Sequence, residues 1–400
     1  MPAQHSRRSF LARSAGVLGA AAAAAAGGTL LDLGLGGGGS AHAATTLPVT
    51  FQNQTGSYPD NQAWAYVVGV APGGQQCYVR ADGTLVPVSP SLNGSDGYAD
   101  LSIPFAASGD TTLSLPNMSG RIYFSLGEKL KFKVVTDGNG NNALQYPAGW
   151  VSGDPSYNVL HDWIEFTFND TGMYCNTTMV DMFSIPLSIK LTGGSGTQTT
   201  GQLVPGGRDG IFSALAGQSD PSWSKLIVGD RLRVIAPGHG IDTGVFPSGY
   251  YDSYIDQVWS QYAGEDLSVT VSGTAHTGRV SGGSLVFDGG AASFGKPKTS
   301  DVFYCAGALA PGAGISGPLA AQLGAAFNRS TLLTHPTQPV TDAGQFYLSA
   351  PTNVYSQVMH QHTVDGKAYG FPFDDAESFA AYVQDTAPTA MTVDLTSFTD

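Results

Sequence analysis

Charge is what this chain has least of. Lys, Arg, Asp and Glu make up only 12% of its 400 residues, against about 25% in an ordinary soluble protein. The 18 basic residues form no cluster and the formal net charge is −13, so nothing here could neutralise a run of phosphates, and nucleic acid is excluded as a partner. Cysteine is scarce too: Cys77, Cys175 and Cys305 are too few for a disulfide-dense scaffold. In an exported chain the simplest count is one disulfide and one free thiol, with all three pairings open. His360-Gln-His362 would place two imidazoles on one face of a strand, but no further ligand stands at a recognisable spacing, so no metal and no other cofactor is expected. After the N-terminal segment no apolar run is long enough to hold the chain in a membrane.

With few charges, the surface must be covered by Gly, Ser, Thr, Asn and Gln, a composition suited to a neutral polyhydroxyl ligand. Ser6-Arg7-Arg8-Ser9-Phe10-Leu11 reads as a twin-arginine export signal, followed by an Ala- and Gly-rich stretch and the small-x-small pattern Ala41-His42-Ala43. Cleavage after Ala43 and secretion are expected. The mature chain would then carry 15 basic and 30 acidic residues, a net −15.

The remaining residues, about 357 from a chain of 400, suffice for two domains. Short β-rich runs fill the first part: Trp64–Val70, Arg121–Ser125 and Leu130–Val135, separated by Gly, Pro, Asn and Asp clusters. Thr192–Gly201 reads as a surface loop or linker. Beyond it, Asp209–Ala216, Asp252–Tyr262 and Leu319–Phe327 carry helical patterns, with strand candidates at Arg231–Ile235 and Leu267–Val271. The expected architecture is mainly β: a sandwich or flattened barrel from residues 44–195 and 341–400, a mixed α/β domain from 196–340, a substrate groove between them, and a monomer in solution.

Two acids stand where strands are expected. Glu165 is flanked by Ile164 and Phe166, and Asp181 by Val180 and Met182. A carboxyl group in apolar company is costly to ionise unless paired, hydrogen-bonded or used, and two that are unequally desolvated can divide the roles of proton donor and acceptor. Strand alternation puts Trp163, Glu165, Thr167 and Asn169 on one face. Asn169-Asp170-Thr171-Gly172 reads as a hairpin turn that folds Tyr174, Asn176 and Thr178 back beside them.

The runs Trp163-x-Glu-Phe-Thr167 and Asn176-Thr-Thr-x-Val-Asp-x-Phe183 resemble the catalytic region of glycoside hydrolase family 64, inverting endo-β-1,3-glucanases that release laminaripentaose. Arg121–Leu130, Asn353–His360 and Gly366–Asp375 are similar to other segments of that family, in its order. The resemblance implies that Glu165 is the general acid and Asp181 the general base, with Thr167, Asn169 and Thr178 facing the glucan. Where the family's pattern carries tryptophan, this chain has Tyr174. The tail around Tyr369–Asp375 is similar to the way thaumatin-like proteins close their barrel, which puts Asp374 and Asp375 either along the groove or at a turn or helix cap. Inversion needs room for a water between the carboxyl groups, about 6.5 to 9.5 Å. A straight return strand would carry Asp181 too far from Glu165, so a bend or bulge is required. A thaumatin-like glucan-binding protein without turnover is the alternative to the enzyme. A structural or adhesive protein is a third class, favoured only by low charge and high glycine content.

Overall fold

A computed structural model describes residues 45–399. The export signal therefore lies outside the described residues. Among the described residues no helix is long and apolar enough to cross a membrane.

The chain is mainly β. A five-stranded sheet has the order Gly196–Thr200, Leu187–Gly193, Pro388–Leu395, Thr46–Asn53 and Thr111–Pro116. Facing it is a larger sheet with the order Tyr382–Asp385, Gly172–Thr177, Leu160–Asn169, Met118–Leu126, Ala63–Val70, Gln76–Val79 and Leu85–Pro87, with Ile103–Pro104 also paired to Ala63–Val70. The alternation of the strands accounts for the packing. Ile122 and Phe124, Ile164, Phe166 and Phe168, and Met173 and Cys175 point into a dry layer against Val49, Phe51, Ile189 and Val393 of the smaller sheet. Gly69 and Gly120 are paired across neighbouring strands, and a Cβ on either would lie 2.1 Å from an opposing backbone oxygen, so only glycine permits this approach.

The other face of the large sheet is covered over part of its length. The Lys133–Thr136 and Asn142–Gln145 hairpin and its flanking turns close over Tyr66, Tyr123 and Trp163, with Phe132 at the centre of this second aromatic cluster. Next to this cluster lies the row containing Glu165, itself still buried, and exposure rises only in the row beyond it.

Helices Gly207–Ala216, Asp252–Gly264, Ser316–Asn328 and Val354–Gln361 pack with a separate five-stranded sheet, in the order Ala292–Gly295, Ser284–Phe287, Thr274–Ser281, Leu267–Val271 and Thr337–Gln338, around a third core. Residues from the 341–368 stretch join that core through Tyr355, Val358, Met359 and Ala368, and the chain re-enters the sandwich at Tyr382. The two regions are stitched by a small sheet in which Met182–Phe183 pairs with Arg233–Ile235. Arg233, fully buried, donates to the carbonyls of Gly149, Tyr157 and Val159 at 2.5 to 2.8 Å.

Three expectations are corrected. Thr192–Gly201 is not a linker: it forms most of an edge hairpin between Leu187–Gly193 and Gly196–Thr200, its threonines supplying β-propensity and its glycines the turn. All three cysteines are free and buried. Cys77 and Cys175 share the sandwich core, but four strand steps separate them, about 19 Å at the usual interstrand spacing and far beyond disulfide reach. Cys305 lies in a different cluster. His360 and His362 are not strand neighbours, since helix Val354–Gln361 runs through His360, and residues two apart on a helix do not face each other.

Candidate active site

Cross-strand register sets the site. Arg121, Glu165, Asn176 and Tyr382 occupy one row across four strands. The row beside it, toward the hairpin turn, is Ser119, Thr167, Tyr174 and Gln384. On the other side lies the dry pair Tyr123 and Trp163. The surface thus passes, within three rows, from sealed aromatics through a charged row to half-exposed hydroxyl and amide groups.

Glu165 and Asp181 come together around Arg121. The guanidinium contacts Glu165 Oε1 through Nε at 3.1 Å and Nη2 at 2.9 Å, and Nη2 lies 4.0 Å from Asp181 Oδ2. The facing carboxylate oxygens are therefore separated by no more than the sum of 2.9 and 4.0 Å, about 6.9 Å. That limit admits both the lower end of the inverting range and the shorter spacing, about 5 to 5.5 Å, of retaining pairs. The required bend is present. The return strand ends at Thr177, and Thr178–Val180 leave the sheet under restraint from the C-terminal region. Met179 N–H donates to Tyr369 O, and Tyr355 Oη donates to Met179 O. Asp181 then accepts at its backbone oxygen from Ala236 N–H of the second region.

Asp181 is 7% exposed. Burial pushes its pKa up, but the hydrogen bond and charge of His239, aided by Arg121, outweigh burial and hold it below the ordinary carboxylate range. His239 Nε2 is 2.8 Å from Asp181 Oδ1. Neither Arg121 nor His239 stood out in the sequence as a site residue. Arg121 could have been found as the strand partner of Glu165. His239 carries no local signal, being 58 positions from Asp181.

The remaining candidates divide sharply. Thr167 and Tyr174 are half-buried and adjacent in register, and Tyr174 Oη is anchored to Thr171. Asn176 and Thr178 are buried; Asn176 Oδ1 has no hydrogen-bond partner among the described residues, and Thr178 Oγ1 accepts from Val180 N–H. Asn169 instead holds the hairpin turn, its Oδ1 accepting from Thr171 N–H and Oγ1. Trp163 is 1% exposed, packed at a tilt against Tyr123 and beneath the Arg121 guanidinium, whose Cζ is 5.0 Å from its ring. It supports the arginine from inside the fold and offers no face to a sugar. Asp374 is sealed in, accepting from Arg329, Ser356, His360 and Gly370. Asp375 is half-buried, and desolvation reinforced by the Asp374 charge pushes its pKa up to about 6. After burial itself, Asp375 and Glu165 both raise the pKa of Tyr369, and Asp375 adds to that of Tyr382. Among the described residues no group of three or more His, Cys, Asp or Glu side chains could hold a metal ion.

Comparison with known proteins converges on one family. Residues 45–395 match the family model described as β-1,3-glucanase, glycoside hydrolase family 64. The chain is 37% identical over 372 residues to a glucan endo-1,3-β-glucosidase of Cellulosimicrobium cellulans, and 36% identical over the same length to one from Arthrobacter sp. strain YCWD3. In both cases 88% of this chain is covered, and it spans 66% of the relative's length. Among solved structures it is similar to a laminaripentaose-producing β-1,3-glucanase crystallised with laminaritetraose, with a TM-score of 0.81 and 40% identity over 89% of this chain and 100% of the other. A β-1,3-glucanase domain from Clostridium beijerinckii gives 0.78 and 27% over 88% and 99%.

Proposed function

Since the chain belongs to glycoside hydrolase family 64, the β-1,3-glucanases, we propose that it is a secreted endo-β-1,3-glucanase. It cleaves linear β-1,3-glucan by single displacement and releases short laminari-oligosaccharides, laminaripentaose among them. The printed activities of its relatives and the laminaritetraose bound to its structural neighbour support the substrate. The twin-arginine segment supports export.

The observation that carries the reading is the placement of Glu165 and Asp181 around one arginine at the edge of the covered sheet. In this mechanism the protonated Glu165 carboxyl donates to the departing glycosidic oxygen as the C1–O bond breaks. Water attacks C1 from the opposite face, and its proton passes to Asp181, which its surroundings keep ionised. Arg121 Nε and Nη2 both hold Glu165 Oε1, which fixes the orientation of the carboxyl toward the leaving group. Substrate would lie along the strip from Tyr382 and Asp375 to Thr167 and Tyr174, between the two regions of the fold. The enzyme would act as a monomer without a cofactor.

One observation favours the alternative, a glucan-binding protein without turnover. The Arg121 guanidinium bonds Glu165 Oε1 twice, a contact that suits a carboxylate holding the sheet together as well as one that meets a glycosidic oxygen. Glu165→Gln discriminates. Loss of hydrolysis by about 100-fold or more with glucan binding retained is the expected result, and unchanged product release rejects the role. Proton NMR of a fresh digest should show the α-anomer first; early β-anomer contradicts inversion, and no product from the wild type favours the binding protein.

A further inference from the structure

The histidine bonded to Asp181 is itself held by a second pair of groups. His239 Nδ1 is 3.1 Å from Tyr304 Oη, and Tyr304 Oη donates to Asp242 Oδ2 at 2.6 Å. A phenol has one proton, and the shorter contact to a carboxylate takes it. The phenolic oxygen is then left to accept from Nδ1–H. On the other side of the ring, Nε2 faces the carboxylate of Asp181. Both ring nitrogens therefore meet acceptors, an arrangement that only the doubly protonated imidazolium satisfies while Asp181 is charged. Trp150 lies flat against the ring at 4.2 Å and 14°, and Gly238 makes room for Tyr304, since a Cβ there would sit 2.6 Å from the phenol ring.

We propose that His239 is a positioning residue for hydrolysis: an imidazolium clamped between Asp181 and the Tyr304–Asp242 pair, fixing the orientation of the base and keeping it charged. This rests on the reading of Asp181 as the base. The other groups facing Asp181 do not titrate in the acid range. Arg121 stays cationic, and burial pushes Tyr123, Tyr304 and Tyr355 upward. Glu165 lies beyond Arg121. The acid-side fall in activity should therefore follow Asp181.

The test compares wild type with His239→Gln, Tyr304→Phe and Asp181→Asn on a soluble linear β-1,3-gluco-oligosaccharide of defined length, measuring kcat and KM across acid and neutral pH. Glutamine keeps a donor to Asp181 but not the charge. Its kcat should fall about tenfold or more, with KM changed less than about twofold, and the acid limb of kcat/KM should move up by about one pH unit or more. Tyr304→Phe keeps the ring and removes only its second acceptor, so it should move the limb in the same direction by less, and it carries the test if the glutamine variant fails to fold. An acid limb unmoved in the folded variants overturns the proposal, as does a change confined to KM. If Asp181→Asn hydrolyses like wild type, the base assignment itself falls; if that variant is inactive and the limb stays in place, only the role of His239 falls.

Discussion

Two carboxylates in this fold sit between an arginine and a histidine, and they have opposite fates. Asp374 accepts from the Arg329 guanidinium, His360, Ser356 Oγ and the backbone N–H of Gly370, and it is wholly inaccessible. Asp181 has His239 on one oxygen, while its other oxygen has Arg121 only at 4.0 Å. Both are held below the usual carboxylate range against burial, Asp374 by His360 and Arg329, Asp181 by His239 and Arg121. The difference is donor count. A saturated carboxylate is a fastener, and one with an open oxygen can take a proton from a substrate water.

The largest expected effect that tests this contrast is on rate. Asp181→Asn should lose about 10² to 10⁴ of kcat while the thermal transition stays close to that of wild type, measured by assay and calorimetry. Asp374→Ala should do the reverse in kind, destabilising the fold by about 3 to 5 kcal/mol because Arg329 and His360 are left without their counter-charge. A rate loss from Asp374→Ala with unchanged stability would erase the distinction.

A smaller effect lies in the pH dependence of stability. Asp374 is held low, so its contribution is present above the ordinary carboxylate pKa and is lost as pH falls through its depressed value. His360, for which Asp374 outweighs burial, is held high, so its contribution is present below the ordinary histidine pKa and is lost as pH rises through its raised value. Buried Asp162 runs the other way: desolvation pushes its pKa up to about 7, so its ionisation removes stability as pH rises from about 4 toward 7. Denaturation across pH of wild type and His360→Gln should show the alkaline loss in the first and not in the second. The smallest effect is at Asp375, where Asn should change KM by about 1 kcal/mol or less and flatten its pH dependence near 6, the value of the native acid.

Much of this was legible in the sequence. Alternation in Leu160–Asn169 put Glu165 and Thr167 on the face opposite Ile164 and Phe166, and helical periodicity located Gly207–Ala216, Asp252–Gly264 and Ser316–Asn328 to within a few residues. What alternation cannot report is which face of a two-sided sheet is covered, and for that reason Trp163 read as one of a row with Glu165, Thr167 and Asn169 while it packs beneath Arg121 in a sealed cluster. Nor can local pattern see Asp374 as a hub, because three of its four donors, Arg329, Ser356 and His360, come from elsewhere in the chain. Thr192–Gly201 misled because glycine-rich composition describes a hairpin tip and a linker equally well.

One feature of the connectivity bears on how the molecule tolerates motion. Glu165 rides on the middle of the large sheet, but Asp181 immediately precedes the two-residue strand that pairs with Arg233–Ile235 and accepts its backbone bond from Ala236. The two acids are thus mounted on different halves of the protein, and the gap between them is an inter-lobe coordinate. In the proposed mechanism that gap is the room left for the attacking water, so the small sheet joining Met182–Phe183 to Arg233–Ile235 also sets the reaction distance.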